Sequence, residues 1–92
     1  MDVKQAVRLA KASVQDFFGD QVLSDPVLEE LEYDEAGRAW NITLGFFRIA
    51  DAPRSPAAQV LAQIGGARRA FKVFKVSEAT GSVISVKDRE LI

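Results

Sequence analysis

The sequence predicts an α+β fold, with an N-terminal helix packed on a four-stranded antiparallel β-meander. Three observations predict it: apolar residues at helical spacing in residues 2–18, strict alternation from Arg38 to Arg48, and a strand–turn–strand pattern from Arg69 to Val86. Ninety-two residues, 48% apolar and 27% charged, have the size and balance of a single globular domain spanning 1–92.

Val3, Val7, Ala10, Val14, Phe17 and Phe18 recur near a 3.6-residue period and line one helical face. Lys4, Arg8, Lys11 and Gln15 fall largely opposite. Asp2 with Gln5 reads as a capping box, and Gly19 as the stop. Residues 19–26 form a connector. Val22 and Leu23 tuck under the core edge, and Asp25-Pro26 biases the chain away from helix.

Val27 to Tyr33 alternates in part, with Val27, Leu31 and Tyr33 on one side and Leu28, Glu30 and Glu32 on the other. Leu28 to Glu32 also suits a helix, but the next segment needs a partner strand. After the turn Asp34-Glu35-Ala36-Gly37, Trp40, Ile42, Leu44 and Phe46 face one way. Asn41, Thr43, Gly45 and Phe47 face the other. These two strands make the first hairpin.

Between strands 2 and 3, Ser55-Pro56 offers a helix start and Gly65-Gly66 a stop, with Ala57, Val60, Leu61 and Ile64 on one face. A short helical insertion is expected there, with a loop as the alternative. In the last hairpin, Phe71, Val73, Phe74 and Val76 lead into the turn Glu78-Ala79-Thr80-Gly81, and Val83, Ile84 and Val86 return. Gly81 is where that turn needs a positive φ. The doublet Val73-Phe74 implies either a bulge nearby or burial on both faces, and residues 88–92 read as a frayed tail. The helix is expected on the Trp40/Ile42/Leu44/Phe46 face. The other face is left partly wet, showing Asn41, Thr43, Phe47 and some of the bases.

The run Phe71-Lys72-Val73-Phe74-Lys75-Val76-Ser77-Glu78-Ala79-Thr80-Gly81-Ser82-Val83-Ile84, with Ala6-Val7-Arg8-Leu9-Ala10 and the central β pair, resembles a PepSY-type domain. That small module is related in outline to the cystatin-like helix-on-sheet fold. Ser77 stands where the pattern has an acidic residue, and Glu78 follows one place later. The resemblance implies regulation of peptidases or binding of other protein partners rather than catalysis, and it assigns no site residues.

Composition narrows the chemistry. Without cysteine there is no disulfide, thiol nucleophile or thiolate ligand; without histidine the usual base at neutral pH is missing. Residues 1–37 hold nine acids and three bases (−6), and residues 38–92 hold nine bases and four acids (+5). The two parts either pair within the fold or present a surface to a charged partner. No apolar run is long enough to span a bilayer, and residues 1–5 lack a secretory layout, so a cytoplasmic protein with no membrane association is expected.

Glu29, Glu30, Asp34 and Glu35 are candidates for acid–base work or a hard metal ion, but charge on an edge strand accounts for them as well. Gly65-Gly66-Ala67-Arg68-Arg69 suits a phosphate, and equally a helix stop. Arg48, Arg54, Arg68, Arg69, Lys72 and Lys75, with Phe47 and Phe74, form either a basic nucleic-acid-binding face or a solvated strand face. Phe47 is either covered by the insertion or an exposed protein-binding residue. Trp40 and Tyr33 read as core or core rim.

The expected function is therefore a non-enzymatic protein-interaction or regulatory module, with a protein partner or a homodimer and no catalytic residue, metal or cofactor assigned. Weak nucleic-acid or anion binding is the alternative. The candidate partner- or anion-binding residues are Phe47, Arg48, Arg68, Arg69, Lys72 and Lys75. The last strand, as an edge, is a further candidate for strand addition.

Overall fold

The structure, a computed structural model, describes residues 1–22, 24–48 and 70–89. Helix α1 (Val3–Phe18) runs into a 3-10 turn (Gly19–Gln21) and is followed by four strands. These are β1 (Val27–Asp34), β2 (Ala39–Phe46), β3 (Ala70–Ser77) and β4 (Val83–Asp88), and they form one antiparallel sheet in the order β1-β2-β3-β4. The expected insertion at 55–64 lies outside the described residues, as do Leu23, Arg54, Arg68 and Arg69.

The capping box forms as the sequence implies. Gln5 N–H donates to Asp2 Oδ1 at 2.8 Å, and Asp2 N–H donates to Gln5 Oε1 at 2.9 Å. Gly19 does cap the helix, but in right-handed conformation (φ −38°), and the chain tightens into the 3-10 turn instead of reversing. Ala6, Ala10, Ser13 and Val14 face inward. Small side chains at three of these positions let the helix approach the sheet closely. Phe17, assigned to the apolar face by its spacing, is 60% exposed. Phe18, its neighbour, packs on Phe46 with ring centroids 5.6 Å apart.

The core is Ala6, Ala10 and Val14 against Ile42, Leu44, Phe46, Phe74 and Val76, all essentially without solvent contact. Burying a side chain of this size stabilises by about 1.5–3 kcal/mol. Trp40 is on the same face at the rim, tilted against Tyr33 at 4.6 Å between centroids. The helix packs over β2, β3 and β4. Strand β1 stands to one side.

Two register shifts interrupt the ladders; the first corrects the sequence reading, and the second agrees with the bulge expected near Val73-Phe74. The first falls between Leu28 and Glu30, where Leu28 opposes Leu44 and Glu30 opposes Thr43, leaving Glu29 as the extra residue. The bulge swaps the expected sides of Val27 and Leu28. Leu28, Leu31 and Tyr33 share the helix side with Leu44, Ile42 and Trp40, while Val27, Glu30 and Glu32 share the other side with Gly45, Thr43 and Asn41. The second shift lies between Lys75 and Val76, which oppose Ser85 and Val83, leaving Ile84 extra and 57% exposed. It falls just beyond the Val73-Phe74 doublet. Phe74 is in the core and Val73 is half-buried on the opposite face.

Both turns are tight. Gly81 has φ +65° as expected, with its N–H donating to Ser77 O at 2.9 Å. In the first turn the left-handed residue is Arg38 (φ 49°) and not Gly37. The tail begins later than expected: Asp88 belongs to β4, and Arg89 N–H still donates to Phe71 O at 3.1 Å.

Candidate functional site: an acidic edge strand

Strands β1 and β4 are the edges of the sheet. Because α1 sits over the other three strands, the helix side of β1 has no cover of that kind. On that side Leu31 is 43% exposed and Leu28 39%, and Val27, on the other side, is 49% exposed. Among the described residues, the outer backbone edge of β1 pairs with no other strand. Beyond the bulge, Glu30 to Asp34 run in unbroken register against β2.

The opposite side of β1 carries Glu30, Glu32 and Asp34, and two of these are tied to bases from inner or distant strands. Arg89, at the end of β4, lies over the Phe71 ring at 5.5 Å and reaches Glu30 Oε1 at 3.0 Å. That reach crosses the sheet above Gly45. A Cβ on Gly45 would stand 2.9 Å from Glu29 Oε1 and 3.1 Å from Phe71 Cε1, so glycine keeps the row low enough for the side chains to lie across it. Lys75 of β3 pairs with Asp34 Oδ2 at 3.4 Å. Gly37 N–H, donating to Asp34 Oδ1 at 3.1 Å, is the main cause holding that carboxyl below its ordinary pKa, and Lys75 lowers it further. Among the described residues no base pairs with Glu32.

At the turn end, Tyr33 donates its hydroxyl hydrogen bond to Glu78. That bond is the main reason its pKa is raised above the ordinary value, since ionising the phenol would place two anions together. Strand β1 is therefore fastened to the rest of the sheet by side chains at both ends, while its middle, Leu31 and Glu32, is open.

Among the described residues, the bases singled out in the sequence do not share one face. Lys72 and Lys75, three apart on β3, point to opposite faces. Lys72 lies on the helix side, 5.9 Å from the Phe18 ring centroid, and is paired with Asp88. That pairing lowers the Asp88 pKa, first through the hydrogen bond and then through charge, and Arg48 adds to it. Arg48 forms an antiparallel bridge with Val22 just beyond β2. Phe47 is half-buried, its N–H donating to Ser24 Oγ at 3.1 Å. Arg68 and Arg69 lie outside the described residues.

The carboxylates Glu29, Glu30, Asp34 and Glu35 do not converge. Among the described residues, no three Asp or Glu side chains gather as a metal-binding group. No helix among them is long and apolar enough to cross a membrane. The sequence reading placed Leu28 on the wrong side of β1 and missed the exposure of Leu31. The bulge that moves Leu28 to the helix side leaves no pattern in residue type, and the lateral offset of α1 is a tertiary property.

Compared with protein-family models, curated proteins and solved structures, the chain matches none.

Proposed function

We propose that the chain is a non-enzymatic protein-interaction module that binds its partner along β1. The observation that carries this reading is the partial exposure of Leu28 and Leu31 on an edge strand whose outer side pairs with no other strand among the described residues, beside a helix-covered core. Charge and a bulge guard an edge against indiscriminate pairing, and β1 has both. Neither device accounts for two partly exposed leucines on that same strand. Apolar residues grouped at an open edge supply what strand addition uses, with backbone hydrogen bonds for affinity and side-chain contacts for selectivity. The resemblance to PepSY-type modules points in the same direction, toward partner binding.

The test compares affinity capture from nuclease-treated lysate by the native chain and by a Leu28→Asp/Leu31→Asp variant, with circular dichroism confirming that the variant folds. A protein retained by the native chain and lost by the variant supports the reading. Identical retention by both removes β1 as the binding edge.

A further inference from the structure

We infer that the partner is an extended segment of alternating basic and apolar residues, added to β1 as a fifth strand; this rests on the interaction reading above. Successive side chains of a strand point to opposite faces. The β1 run from Glu30 to Asp34 offers Leu31 and Tyr33 on the helix side and Glu30, Glu32 and Asp34 on the other. An incoming strand meets an apolar surface at every second residue and a carboxylate at the residues between. Directly opposed unlike charges stabilise a strand pair and like charges destabilise it, so the polar positions of the partner are Lys or Arg. Glu32, at the centre of the run and with no base of its own among the described residues, is the first carboxylate such a partner meets.

The same charges argue against a second copy of this chain. Two β1 strands paired about a two-fold axis at Glu32 would bring Glu32 opposite Glu32 and Glu30 opposite Asp34. The β4 edge of another copy does not supply the complement either. Its Val83 and Val86 are already packed against the core, and its Arg89 is held by Glu30. The one further base on its open side, Lys87, is followed by Asp88, so it lacks the repeated bases that three carboxylates call for.

The probe is a fluorescent peptide of about ten residues alternating Lys and Val, the length of a long natural strand. Control peptides replace Lys with Glu, or Val with Ser. Fluorescence anisotropy is expected to show binding of the Lys/Val peptide that weakens as salt rises, with the two controls much weaker. Glu32→Lys, at an exposed position, weakens the Lys/Val peptide by roughly three- to tenfold, as one unlike-charge pair becomes a like-charge pair. Leu31→Ser weakens it as well. If the Glu/Val peptide binds equally, or Glu32→Lys changes nothing while Leu31→Ser still weakens binding, the basic partner is wrong and the docking edge stands. If no peptide binds, the inference fails, and the edge-dependent capture decides the interaction reading separately. Dimers of the native chain in sedimentation that Leu31→Ser dissociates would identify a second copy as the occupant instead.

Discussion

The two edges of the sheet are alike in backbone and unlike in cover. Each is a single strand with one bulge, at Glu29 in β1 and at Ile84 in β4. Strand β4 lies under α1, and its Val83 and Val86 pack on the core. Strand β1 lies beyond the helix, so the corresponding Leu28 and Leu31 remain partly exposed. The edges also differ in charge. The open side of β1 is acidic, whereas that of β4 ends in Lys87 and Arg89. One helix wide enough for three strands has produced a finished edge and an unfinished one. A fifth strand with its own apolar residues would cover what the helix does not reach.

The largest expected effect contrasts the covered and uncovered sides. Phe74, fully buried beneath the helix, is expected to cost about 3–5 kcal/mol of unfolding free energy as Phe74→Ala. Leu31→Ser is expected to cost less than about 1 kcal/mol, because much of Leu31 is already in water. Chemical denaturation of the two variants checks this. Equal losses would mean that β1 is as much a part of the core as β3.

An intermediate effect tests how the edges are joined. Gly45→Val puts a branched side chain where Glu29 and Phe71 already meet, and is expected to cost about 1–3 kcal/mol. It should also separate Arg89 from Glu30, which a double-mutant cycle between those two residues would show as lost coupling. A stability unchanged by Gly45→Val would remove the need for glycine at the crossing.

The smallest effect is in acid. Asp34 at the end of β1 and Asp88 at the end of β4 both have folded pKa values below the ordinary 3.8. A depressed carboxyl contributes stability that is present above its unfolded pKa and is lost as pH falls through its folded value. The native chain is therefore expected to lose stability below about pH 4, and Asp88→Asn to flatten part of that slope. Asp88 is exposed and Asp34 only half-buried, so the change is modest. NMR titration of the two carboxyl groups checks the direction, and a value above 3.8 for either would contradict its pairing.

Much of the fold was legible because its signals are local. The 3.6-residue spacing of Val3, Val7, Ala10 and Val14 is fixed within α1, and the alternation from Trp40 to Phe46 needs only β2 itself. The turn glycine Gly81 was equally plain, since its conformation is set by its neighbours. The candidate site was much less legible. Which face Leu28 occupies depends on one extra residue, Glu29, whose type does not announce a bulge. Whether Leu31 is covered depends on where α1 lies laterally across the sheet, which its amphipathic pattern does not specify. Lys72 and Lys75 looked like neighbours in sequence, yet the period of two in a strand places them on opposite faces, each with its own carboxylate.

The central claim is that β1 is an edge built to accept another strand. Its most direct test is amide chemical-shift mapping on the 15N-labelled chain during titration with the Lys/Val peptide. The account predicts saturable shifts concentrated at Glu30 to Asp34 and slowed amide exchange at the outward-facing groups of that run, with little change at Val83 to Asp88. Shifts that fall on β4 instead, or none along β1 at saturating peptide, would contradict it.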